Sequence, residues 1–274
     1  MSDTDVRLGQ ATLLYTIPSI ISAGGPAGLA MVSGRVPSQD VNAPEQWGFL
    51  RNQVTPFQLN TSDGEILHAW HILPLDTYRQ HQSALREEST GLCRDIRKRM
   101  SFRLLLEDPD ARLVIYLHGA AGTLGSGWRP QIYRALSAAS INVHVLAIDY
   151  RGFGASTGRP SEPGLLTDGL TVAKFAIEDA GLSPERIAIF AQSLGTAVAI
   201  SVAHHLALQS PPVLFAGMVL VAPLADVAFL TETYKLGGNI PLLSPLALFH
   251  RLLVLLNQFI ISKWPSKDKL AAMI

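Results

Sequence analysis

One cysteine in 274 residues, Cys93, rules out an internal disulfide framework and any zinc site built on thiolates. Charge is scarce too. Lys, Arg, Asp and Glu make up 16% of the chain, well under the ~25% of an average soluble domain, while 48% is hydrophobic. The 22 basic and 22 acidic residues cancel, so nothing points to a polyanionic partner and nucleic acid is set aside. Sparse charge on so apolar a chain favours an extensive core, a greasy site or contact with membrane. No repeat period and no low-complexity tract divides the chain, and its length suffices to bury a sizeable core.

What is present begins with an uncharged stretch. From Leu8 to Gly34 no residue carries charge, and "ATLLYTIPSIISAGGPAGLAMV" is long enough to cross a bilayer. Pro18, Gly24, Gly25, Pro26 and Gly28 oppose a regular spanning helix. Asp3 and Asp5 are out of place ahead of a secretory signal. Residues 1–40 are therefore expected to be an apolar segment and linker, with 8–34 a candidate membrane anchor or interfacial element. An arm packed on the domain is the alternative. The expected location is membrane-associated or cytoplasmic rather than secreted. The globular domain is expected over 41–274, opening near the polar, proline-bearing "VPSQDVNAPEQWGF".

Within that domain "GEILHAWHILP" alternates as a strand does and ends at Pro74, and residues 75–110, including "RDIRKR", read as a solvated face or loop. From Ala111 onward buried strands and helices alternate. "RLVIYLHG", "INVHVLAIDYRG", "SPERIAIFA" and "FAGMVLVAPL" are short continuous apolar runs. Between them lie the helical "RPQIYRALSAAS", "EPGLLTDGLTVAKFAIEDAG" and "LGTAVAISVAHHLALQ", the second stopped by Gly181. That alternation specifies an α/β doubly wound fold with a mostly parallel sheet covered on both sides. A dinucleotide-binding variant is disfavoured because "HGAAGTLGSG" lacks a clean G-x-G-x-x-G spacing.

The chemistry centres on "IFAQSLGTAVAI", residues 189–200. Ser193 falls where the third buried strand meets the third helix, above the carboxyl edge of the sheet. Small residues two before and two after it, Ala191 and Gly195, suit a turn that brings helix and strand backbones together. The helix N-terminus beneath favours negative charge developing beside the serine. A serine nucleophile also needs N–H donors for the oxyanion. Leu194 supplies one, and the turn His118-Gly119-Ala120 after the first buried strand supplies the other through Ala120. His118 is read as a support for that loop.

Three ordered motifs, "YLHGAAGTLGSGWR", "DYRGFGASTGRPSEPGLLTDGL" and "AQSLGTAVA", resemble the α/β-hydrolase superfamily over about residues 41–270. The nearest likeness is to its membrane-associated monoacylglycerol and lysophospholipid lipase branch. That resemblance implies a serine hydrolase acting on lipophilic carboxyl esters or thioesters, without metal or cofactor. Ser193 would be the acyl-accepting nucleophile, with Ala120 and Leu194 as the oxyanion hole. Gly119, Ala191, Gly195 and Asp149 would support the site, and Asp149 and Arg151 would hold the turns beside it.

A serine needs a base, and the base a carboxylate. In this fold the order is Ser, then acid, then His. The sequence ends at Ile274, about where the family enters the strand that precedes its acid, so the domain is expected to lack its last strands and helices, with both residues missing from this chain. Asp226 and His250 are weak substitutes, and His204 and His205 lie ~16 Å along the helix at 1.5 Å per residue. Segment 239–262, strongly apolar, is a candidate lid or pocket wall. The alternative is a non-catalytic homologue that binds apolar ligand, membrane or a partner chain.

Overall fold

The computed structural model describes residues 40–120, 122–225 and 263–273, together with a short hairpin pairing Lys235–Leu236 with Ile240–Pro241. The segment 8–34, Asp226, His250 and the rest of 239–262 lie outside the described residues. The main sheet has six strands: β1 (Val54–Asn60), β2 (Ile66–Ile72), β3 (Arg112–Leu117), β4 (Val143–Ile148), β5 (Ile187–Gln192) and β6 (Gly217–Val221). Their spatial order is β1-β2-β4-β3-β5-β6. β1 and β2 form an antiparallel hairpin, β2 pairs antiparallel with β4, and β4, β3, β5 and β6 run parallel. The expected doubly wound, mostly parallel sheet is therefore present.

Side-chain alternation divides the strands between two cores, because successive residues of a strand point to opposite faces. Leu113, Ile115 and Leu117 of β3 and Leu146 and Ile148 of β4 enter one cluster. It is closed by α3 (Met100–Glu107), α5 (Glu162–Lys174) and α6 (Leu194–Ala207), through residues such as Phe102, Val172 and Val198. Tyr116, Val145 and Ala147 face the other way, onto Tyr133 of α4 (Arg129–Ala138) and the Trp70 ring. Continuous apolar runs follow from burial on both faces. Gly169 of α5 lets that helix meet α6: a β-carbon there would sit 2.6 Å from Val202 and 3.0 Å from Val198.

Residues 75–110 are not the solvated loop expected. They form α1 (Leu75–Gln80), α2 (Gln82–Glu87) and α3, and bury Tyr78, Leu85, Phe102 and Leu105. Few apolar residues spread among many charges hide a helical face, and here each short helix rests on one or two anchors. Strand β1 was not anticipated either. Its seven residues include Pro56, Gln58 and Asn60, and only pairing with β2 makes them a strand. A guanidinium organises the far end of this hairpin. Arg151 donates two bonds to Asp63 in the turn, at 2.7 and 2.9 Å, and one from Nε to Asp168 of α5 at 2.8 Å.

Two buried histidines cross-link β2 and β4. His71 and His144 stack with rings 5.2 Å apart, and His71 Nε2 lies 3.0 Å from His144 Nδ1. His71 Nδ1 has no partner, so the arrangement that avoids an orphaned N–H has His71 Nε2–H donating. Burial pulls His71 down to about 4 and His144 well below its usual 6.5. Each ring thus binds its proton less readily folded than unfolded. The stability they contribute as neutral groups is present above 6.5 and is lost as pH falls below it, for His71 down to about 4. Denaturant titrations should show stability falling by about 1.4 kcal/mol per pH unit for each ring between pH 6.5 and 5. His71→Leu/His144→Leu should make that slope shallower by about two protons. Some slope should persist, because burial also lowers His68 and His118. An unchanged slope would show that this pair is not the acid-labile element.

Candidate active site

The strand-to-helix turn at Ser193 is built as its sequence suggests. Ser193 caps α6 with φ +50 and ψ −117, a left-handed conformation that a serine adopts only when its surroundings impose it. Its N–H donates to Val221 O at the end of β6, at 2.9 Å. Its carbonyl accepts from the N–H and hydroxyl of Thr196, at 2.9 and 2.6 Å. Thr196 Oγ1 in turn accepts from Leu224 N at 2.9 Å. The elbow is thus tied both to the helix that follows and to the loop after β6.

Gly195 is where the chain tolerates no side chain. A β-carbon there would fall inside the contact radius of Leu117 O, and 2.8 Å from His118 O. The first turn of α6 therefore lies directly on the end of β3. Ala191, two residues before the serine, is fully buried and registers with Leu117 of β3 and Leu220 of β6. Its methyl joins the core.

The loop after β3 meets the elbow. A β-carbon on Gly119 would lie 3.3 Å from Ser193 Cβ, so the two turns touch. Ala120 and Leu194 are both nearly buried, and among the described residues neither N–H meets an acceptor. His118 is fully buried and makes no hydrogen bond to the serine. Its Nδ1 lies 2.7 Å from Gly119 O, its Nε2 lies 3.5 Å from Asp149 Oδ1, and its ring packs on Tyr150 and Phe153. Burial, reinforced by the Arg129 charge, lowers its pKa against the opposing pull of Asp149.

Asp149, also fully buried, joins three segments. Its Oδ1 accepts from Leu124 N at 2.8 Å, its N–H donates to His68 O, and its carbonyl accepts from Ser156 Oγ at 2.7 Å. Gly154, at φ +49, passes so close that a β-carbon would lie 2.7 Å from the carboxyl carbon. Asp149 and the "DYRGFG" loop therefore frame the site without touching the serine.

Two contributors escaped sequence reading. Arg129, buried at the start of α4, donates from Nη1 to Thr123 O at 2.6 Å and from Nη2 to Gly119 O at 3.0 Å. It clamps the loop that carries Ala120, and an arginine beside a proline in "GSGWRPQ" gives no hint of that. Thr196 is the other; a threonine in "SLGTAV" reads as helix interior. Of the described histidines none hydrogen-bonds Ser193. His204 and His205 lie in the last turn of α6, at the far end of the helix from the elbow.

Comparison with known proteins gives the family. The sequence model of the alpha/beta hydrolase family matches residues 114–272. The chain belongs to this family. Among curated relatives of this alpha/beta hydrolase, lysophosphatidylserine lipase ABHD12 of Danio rerio is 32% identical over 173 residues, 63% of this chain and 40% of that protein. Protein ABHD12B of Homo sapiens is 32% identical over 188 residues, 68% of this chain and 46% of its own. The chain thus spans less than half the length of either. A solved alpha-beta hydrolase from Vibrio vulnificus shares the fold at TM-score 0.58 and 16% identity, covering 88% of this chain and 69% of that one.

Two substitutions test the hydrolase elbow. Gly195→Ala should cost more than about 3 kcal/mol, or prevent folding, because its methyl meets backbone rather than a yielding side chain. Ala191→Gly should cost only about 1–2 kcal/mol, from one lost buried methyl and a more flexible unfolded chain. Equilibrium unfolding distinguishes them, and equal costs would contradict the close approach of α6 to β3.

Proposed function

We propose that this alpha/beta hydrolase forms an acyl-enzyme at Ser193 and acts on lipophilic carboxyl esters or thioesters. The observation that carries the proposal is the strained serine, held at φ +50 between a helix N-terminus and the Gly119 turn. A side chain so placed stands clear of its own backbone and can approach a carbonyl carbon. As Oγ bonds to that carbon, the carbonyl oxygen gains charge, and the N–H groups of Ala120 and Leu194 are the donors to receive it. The α6 terminus adds its partial positive charge. Collapse of the tetrahedral intermediate expels the alcohol or thiol, and water then releases the acid.

Proton transfer from Ser193 requires a base that the described residues do not provide, since His118 bonds to Gly119 and faces Asp149. In this reading base and acid lie elsewhere in the functional protein. The lipid character of the substrate rests on similarity to a relative named lysophosphatidylserine lipase. The uncharged residues 8–34 fit membrane association, although among the described residues no helix is long and apolar enough to cross a membrane.

A fluorophosphonate probe tests the nucleophile directly. Folded protein should be labelled at one serine, and Ser193→Ala should abolish the label without loss of stability. Arg129→Met should slow labelling by about tenfold or more, as its loop loses a charge-assisted anchor worth ~1.5–3 kcal/mol. Folded chain that takes no label would favour the non-catalytic reading instead.

A further inference from the structure

A cavity lies far from the serine, against the outer edge of β1. It encloses about 520 Å³, within the range of small-molecule sites. In the order β1-β2-β4-β3-β5 its wall stands four strands from the elbow, ~19 Å at ~4.8 Å per strand. Its floor is apolar, made by Phe57, Leu59, Ile96, Leu170 and Phe175.

Three independent features open it. The chain at Cys93 pairs with the edge at one point only, Cys93 N donating to Pro56 O at 2.8 Å, and then departs along Arg94–Arg97. Past Gln58 no described residue pairs with the edge. Pro56 turns its carbonyl outward, whereas Thr61 N bonds inward to Glu65 O, so the antiparallel alternation turns the N–H groups of Gln58 and Asn60 outward, that of Gln58 facing Cys93 O across the bridge and that of Asn60 facing the cavity. Third, α5 does not end as a regular helix. Its last turn, Phe175–Asp179, is a π turn in which Ala180 N reaches Phe175 O five residues back, at 2.9 Å. Such widened turns concentrate at functional sites. This one places Phe175 in the floor, packed on Phe57 with ring centres 5.4 Å apart, and Asp179 on the rim.

The charge on the rim is unbalanced. Arg97 is taken up by Asp179 and Asp95, and Lys98 also lies near Asp95. Arg94 and Lys174 line the same opening and form no ion pair among the described residues. Two cations with no ion pair among the described residues and the outward N–H of Asn60, beside the apolar side chains of Phe175 and Leu170, describe the complement of an amphiphile with a single acidic head.

We propose that this cavity is a binding site for a small amphiphilic organic anion of the carboxylate class, separate from the serine site. The N–H of Asn60, with Arg94 and Lys174, receives the head, and the ring of Phe175 and the Leu170 side chain receive the apolar body. Calorimetric titration of the full chain with decanoate, kept below micelle formation, tests it. One saturable site is expected, and Arg94→Ala/Lys174→Ala should weaken it about tenfold while leaving decanol binding as it was. Both substituted residues are exposed, so the variant should unfold at the same temperature as the parent. Leu170→Trp, which fills the floor, should abolish decanoate binding, and Ser193→Ala should leave it intact. Undiminished decanoate affinity in the double variant would overturn the proposal. So would loss of binding in Ser193→Ala, which would place the ligand in the acyl site. Inorganic phosphate binding as tightly as decanoate would overturn the amphiphile assignment.

Discussion

The first turn of α6 rests on the last carbonyls of β3 with no space for a β-carbon at residue 195, and the geometry of the site follows from that contact. A helix brought so close to a neighbouring strand must leave its own strand through a sharp turn. The residue at that turn, Ser193, is forced to positive φ and its side chain is lifted above the sheet edge. Beside it the chain leaving β3 brings Gly119 against the serine, where a β-carbon would lie 3.3 Å from Ser193 Cβ. One close packing contact thus sets the serine's posture beside the loop after β3.

That loop would be poorly held by apolar packing alone, and a buried polar frame holds it instead. Arg129 grips the carbonyls of Gly119 and Thr123, while Asp149 takes the N–H of Leu124 from below. A buried charge is tolerable only with such multiple partners, because desolvation otherwise outweighs any single bond. His118 completes the frame. Its Nδ1 bonds to Gly119 O, its Nε2 lies 3.5 Å from Asp149 Oδ1, and neither nitrogen hydrogen-bonds Ser193.

Sequence reading reached the parallel strands and the elbow because both leave local signatures. β3, β4 and β5 are buried on two faces and so read as unbroken apolar runs, and the elbow needs small residues at fixed offsets from Ser193. What it missed depends on distant partners. β1 has an ordinary polar composition and becomes a strand through Val54–Asn60 meeting Ile66–Ile72. The helices between residues 75 and 107 each hide one or two anchors among charges. Arg129 and Thr196 act through bonds to loops whose positions the sheet decides, and no local pattern announces such bonds.

Strain at the site is shared rather than confined to the serine. Ala222 and Trp264 also hold positive φ, +51 and +48, and both lie near the carboxyl edge of the sheet. Ala222 directly follows Val221, whose carbonyl receives the Ser193 N–H. Trp264, buried in the main core, donates its N–H to Glu162 at the start of α5, and Ser266 N bonds to Ala225 O. Each such conformation costs about 1–3 kcal/mol and persists only where surrounding contacts over-determine it. Here Leu224 is buried and bonded to Thr196, and Lys269 of α7 (Ser266–Ala271) reaches Ser201 at 2.8 Å, so the strained turns brace one another across β5, β6 and α6. A serine turn supported in this way cannot relax to an ordinary conformation without disturbing the loop after β6 and the start of α6 together. The elbow is therefore preorganised by its neighbours, and a ligand arriving at Ser193 meets a geometry whose cost was met on folding.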